Sequence, residues 1–81
     1  MNAPVTSSCL AALKWLRNRN GDGGFDRHQV LLAGGERAPV MRATWNKLAA
    51  ADLVEFYQER RRLRVTQAGY LCDLSRVEES A

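Results

Sequence analysis

Histidine occurs once in this chain of 81 residues, cysteine and proline twice each, and aromatic residues make up only 7%. The shortage of histidine and cysteine closes off a class of chemistry. His28 stands alone, and Cys9 and Cys72 are far apart with no CxxC or histidine pattern, so a zinc site has too few ligands to draw on. Both cysteines read as small apolar core residues in a reducing cytosol rather than a disulfide or redox pair. No apolar run comes near the roughly 18 residues that span a bilayer. The opening "MNAPVTSS" lacks the basic start and apolar block of a signal peptide, so a cytoplasmic location without membrane contact is expected. Also missing are a Ser-His-Asp order that so small a fold could assemble, a glycine loop opening a helix onto phosphate, and acids paired at useful spacing. No catalytic residue, cofactor or metal ligand is therefore assigned, and the chain reads as a non-enzyme.

What is present suits one small globular domain, residues 1–81: 46% apolar and 26% charged residues, with a net charge of +3. The distribution of charge matters more than its sum. Arg60, Arg61, Arg62 and Arg64 crowd together, while Glu78 and Glu79 gather at the C-terminus. A basic block in an otherwise balanced chain points to a polyanion.

The stretch "NRNGDGGFDRHQ", Asn18 to Gln29, has the oxygen spacing of a calcium loop at Asn18, Asn20 and Asp22. Its carboxylates are only Asp22 and Asp26, Arg19 and Arg27 add positive charge, and the closing position is the neutral Gln29 instead of a bidentate glutamate. It reads as a turn, with its glycines making a tight connection between helices.

The local patterns predict an α+β order. Leu10, Leu13 and Leu16 recur at helical spacing, with Thr6 or Ser7 as cap, Asn20-Gly21 as stop and Trp15 partly exposed. Phe25 looks like a single rung of strand. Asp26 then looks like the N-cap of a short second helix, "RHQVLLA", ended by Gly34-Gly35. Pro39 fits the first turn of a third helix over about 38–51, with Met41, Trp45 and Leu48 turned inward. Asp52 takes a helix-end position that is usually glycine, which aspartate tolerates better than most residues. From about 53 to 66 the two-residue alternation predicts two strands joined by the turn "ERR". Val54, Phe56, Leu63 and Val65 share one face; Glu55, Tyr57, Arg62 and Arg64 share the other. Thr66 caps a last helix over about 67–77, with Tyr70, Leu71 and Leu74 inward.

The segments "NKLAAADLVEFY", "ERRRLRV" and "TQAGYLCDL", in this order, resemble the winged helix-turn-helix family of DNA-binding domains, especially its multiple-antibiotic-resistance-regulator-like branch. The resemblance implies a three-helix core, a two-stranded hairpin wing and a C-terminal helix, with the third helix in the major groove and the wing on the backbone or minor groove. It departs at Asp52 and in lacking the extra helices with which those regulators dimerise. The residues carry their own warrant. Arginine matches guanine and asparagine matches adenine through paired hydrogen bonds, which suits Arg42 and Asn46 on the exposed side of the third helix. Arg37 and Lys47 suit phosphates, as do Arg60, Arg61, Arg62 and Arg64 in the wing. The expected partner is double-stranded DNA and the expected role a small transcriptional regulator, nucleoid-associated, with a homodimer formed through Trp15 or Val77. The alternative is a winged-helix module that docks on an acidic protein surface, favoured by Ala43, Ala49 and Ala50 on the outer helix face.

Overall fold

The computed structural model describes residues 6–79. These form an α+β domain with the order α1 (Ser7–Arg17), β1 (Asp22–Phe25), β2 (Leu31–Ala33), β3 (Glu36–Arg37), α2 (Arg42–Ala50), β4 (Val54–Tyr57), β5 (Arg62–Val65) and α3 (Gln67–Leu71). The strands make one antiparallel sheet in the order β3-β2-β1-β5-β4. Leu13 and Leu16 of α1, Trp45 and Leu48 of α2, and Leu31, Val54 and Leu63 of the sheet are fully buried together.

The β4–β5 register follows the alternation: Val54 faces Val65 and Phe56 faces Leu63 on the core side, while Glu55 faces Arg64 and Tyr57 faces Arg62 on the outer side. Thr66 caps α3 by accepting from the Gly69 N–H, and Thr6 caps α1 by accepting from the Cys9 N–H. Asp52 is left-handed, with φ of 62°, as expected of a residue just past a helix end.

The segment read as a second helix is instead a β-hairpin. Gly34 and Gly35 both have positive φ, 59° and 79°, and join β2 to β3 in the two-residue turn whose twist suits antiparallel strands. Asp26 does cap, but it caps a turn: its carboxylate accepts from the backbone N–H groups of His28 and Val30, and its own N–H bonds the Val30 carbonyl. "LLA", Leu31–Ala33, is then drawn into the sheet beside β1, where Leu31 and Ala33 are buried and Leu32 is exposed. Of the glycines in Asn18–Gln29, Gly21 accordingly links a helix to a strand while Gly23 and Gly24 lie within that strand, so they do not connect two helices. Gly23 lies within β1, where a Cβ would stand 2.5 Å from the Leu32 carbonyl oxygen.

Two helices are shorter than the sequence suggests. Residue 38 stays on the sheet through an Ala38 N–H bond to the Leu31 carbonyl, so α2 begins only at Arg42, and Met41, expected in the core, is 68% exposed. The last helix stops at Leu71, where Cys72 turns to an extended conformation, and the segment beyond it is tied to α1 through its carbonyls. Lys14 donates to those of Leu74 and Val77, and Arg17 to that of Cys72. Leu74 is buried, but Tyr70 and Leu71 point outward. Trp15, expected at the surface and in a dimer contact, is buried beneath the Arg19 guanidinium, and Val77 is half-buried. Among the described residues no helix is long and apolar enough to cross a membrane.

Candidate nucleic-acid interface

The eight basic and polar residues singled out in the sequence divide into two sets. Sheet alternation sends Arg62 and Arg64 to the outer face, and the strands beside β5 supply acids. Arg62 lies over Gly24, which has no side chain to obstruct it, and donates to the Tyr57 hydroxyl at 2.8 Å and to Asp22 at 3.1 Å. Tyr57 donates in turn to the Asp22 carboxylate at 2.6 Å. Arg64 is paired with Glu55 at 2.5 Å. These partners raise both guanidinium pKa values, Tyr57 and then Asp22 for Arg62, and Glu55 for Arg64. Arg37 is on the same outer face at the β3 edge, exposed and 3.8 Å from Asp26. The Asp22 of the apparent calcium loop is thus engaged by Tyr57 and Arg62.

The second set meets where the first turn of α2 approaches the β4–β5 turn. Phe25 of β1 and Phe56 of β4 stack with ring centroids 5.8 Å apart. The Arg42 guanidinium sits over both, 4.3 Å from Phe25 and 5.0 Å from Phe56, and Arg60 sits 4.3 Å over Phe56. Arg42 also donates to the Gln29 side-chain oxygen at 2.6 Å and to the Arg60 carbonyl at 2.9 Å. Arg60 reaches back to the Asn46 side-chain oxygen at 3.3 Å. Arg61 follows in the turn, and Lys47 is exposed one residue beyond Asn46.

Among the described residues Arg42, Lys47, Arg60 and Arg61 form no ion pair, in contrast to Arg62 and Arg64. The β4–β5 turn is also strained. Gln58, Glu59 and Arg60 all have positive φ (50°, 58° and 66°), a conformation costing roughly 1–2 kcal/mol for each non-glycine residue. The Phe56 stacking and the Arg42 bond to the Arg60 carbonyl offset that cost and tie the turn to α2. Arg42 is consequently a fixed side chain with several N–H groups already used, not a free arm on an exposed helix face.

Sequence reading missed the Phe25–Phe56 pedestal, since Phe25 looked isolated and Phe56 merely core. It also missed Gln29 and Arg27 beside Arg42. The available signal was the Gly34-Gly35 pair, a two-residue hairpin turn that also reads as a helix end. Comparison of the chain with protein-family models, curated proteins and solved structures gives no match.

Proposed function

We propose that this is a double-stranded DNA-binding domain of winged helix-turn-helix type, with the β2–β3 hairpin in place of the second helix. In this reading α2 enters the major groove and the β4–β5 turn lies on the neighbouring backbone, as in a small transcriptional regulator. The observation that carries it is the set of cations without ion pairs among the described residues, Arg42 and Lys47 on α2 and Arg60 and Arg61 in the turn, tied together by the Arg42 bond to the Arg60 carbonyl and the Arg60 bond to Asn46. Cations left without carboxylate partners are available to displace counterions from phosphate. Asn46 is exposed on the same helix and can read adenine. Nine helical residues span about 14 Å, enough for a few base edges and no more, so specific recognition calls for two copies on a palindromic site.

The test is the salt dependence of binding to a random duplex between about 50 and 200 mM salt. Replacing Lys47, Arg60 or Arg61 by alanine should lower the slope of log affinity against log salt by about 0.9 each, or about 3.5-fold less affinity lost over that fourfold range. Arg62→Ala and Arg64→Ala should change it little, because their charges are already matched by Asp22 and Glu55. Asn46→Ala should cost about 1–3 kcal/mol on a preferred site and spare random DNA. Slopes indifferent to Lys47, Arg60 and Arg61 would shift the reading to docking on an acidic protein surface. The exposed Met41 beside Ala43 at the start of α2 favours that second reading.

A further inference from the structure

The groove between the β1–β2 turn, the start of α2 and the β4–β5 turn has a volume of about 370 Å³ and is lined by Phe25, Gln29, four arginines (27, 42, 60 and 61) and two acids (Asp26 and Glu59). Four guanidinium groups against two carboxylates leave a lining charge of 4 − 2 = +2. Asp26 is further committed through its Oδ1 to the backbone N–H groups of His28 and Val30, which hold its carboxyl below the usual range, while its Oδ2 lies 3.8 Å from Arg37, outside the groove lining.

We propose that this groove is a seat for a phosphate monoester, the terminal phosphate of a nucleotide chain. The inference rests on the DNA-binding reading and deepens it. An internal phosphodiester carries a single negative charge, whereas a terminal phosphate carries about −1.5 to −2 at neutral pH, the charge that the lining leaves unmatched. Arg42 is already held in place by Phe25, Phe56, Gln29 and the Arg60 carbonyl, so it loses little freedom when an oxyanion arrives. The groove holds on the order of ten waters at about 30 Å³ each, more than a phosphate alone would displace, and leaves room for the first sugar beside Phe25. Arg27, which plays no part in reading a groove from α2, acquires a role here.

The test compares one short duplex carrying 5′-phosphates with the same duplex ending in 5′-hydroxyls, at constant salt. The phosphorylated form should bind roughly tenfold tighter, the worth of about one additional charge-assisted hydrogen bond. Arg27→Ala should abolish the difference while leaving affinity for the hydroxyl-ended duplex unchanged. Arg76→Ala, which removes an equal charge far from the groove, should preserve it. Inorganic phosphate, followed by NMR, should shift the Arg27, Arg42 and Arg60 signals saturably, where chloride at equal ionic strength does not; this arm separates a small phosphate from a nucleic-acid end. Equal affinity for the two duplexes overturns the seat and leaves the DNA reading standing, as does a preference that survives Arg27→Ala. Saturable phosphate shifts with no binding to either duplex keep the anion site and overturn the DNA reading.

Discussion

Gly69→Ala should be strongly destabilising, although alanine is the better helix former. Gly69 is buried in α3, and a Cβ added there would lie 2.1 Å from the Leu53 carbonyl oxygen and 2.6 Å from a Val65 methyl. The carbonyl cannot swing aside freely, because it accepts the Thr66 N–H at 3.1 Å. α3 must instead retreat by roughly an ångström to restore ordinary contact distances. That retreat pulls on the Thr66 hydroxyl, which accepts the Gly69 N–H at 3.1 Å and donates to the Asp52 carbonyl at 2.6 Å. Overpacking costs about 1–3 kcal/mol, a weakened cap about 1 kcal/mol, and helix propensity returns up to about 1 kcal/mol. The net is a loss of about 2 kcal/mol, or roughly 8–16 °C in Tm for a domain of this size. Thermal and urea denaturation followed by circular dichroism measure it directly. Ala68→Gly, at the exposed position before it, is the control and should cost only about 1 kcal/mol or less. A Gly69→Ala protein as stable as the parent would show that α3 does not rest on Leu53, and the packing described for the end of the sheet would be wrong.

Asp52→Gly should stabilise the domain by up to about 1 kcal/mol in urea denaturation, since Asp52 holds φ of 62° at the end of α2, where glycine carries no Cβ penalty. Trp45→Ala should cost about 3–5 kcal/mol, but Trp45→Phe much less, because the fully buried Trp45 indole N–H has no partner among the described residues and its removal relieves a desolvation penalty. Asp26 ionises below the usual carboxylate range chiefly because it accepts the Val30 and His28 N–H bonds. Its stabilisation should therefore be complete above the unfolded pKa of about 4 and vanish as the pH falls through the lower folded value. The stability gap between the parent and Asp26→Asn should accordingly shrink between pH 7 and about pH 3, and a gap that widens with acid would refute the assignment.

The arginine block shows why a basic run in sequence does not define a basic surface. Arg60 and Arg62 are two residues apart, yet one stands over Phe56 at the end of the hairpin and the other reaches Asp22 across the sheet. Period-two alternation announces that Arg62 and Arg64 share a face. It is silent about which strand will lie beside β5. The acid that neutralises Arg62 comes from a segment read as a turn, 40 positions earlier in the chain.

Local chemistry alone determined the parts of this protein whose competing conformations differ within a few residues. Thr66 was legible as a cap, Thr6 as one of two candidates with Ser7, Asp52 as a left-handed helix end, and the facing of β4 and β5 from their apolar alternation. Tertiary structure decided the rest. "RHQVLLA" has an apolar run too short to distinguish helix from strand, and only the open edge of β1 together with the Gly34–Gly35 turn settles it as a strand. The path of the chain after Leu71 is likewise held by α1, whose Lys14 and Arg17 take carbonyls more than fifty residues away. The same holds for the candidate site. Residue types made Arg42, Asn46 and Arg60 candidates, but the phenylalanine pair that holds two of them, and the acids that remove Arg62 and Arg64 from the free set, exist only once distant strands have paired.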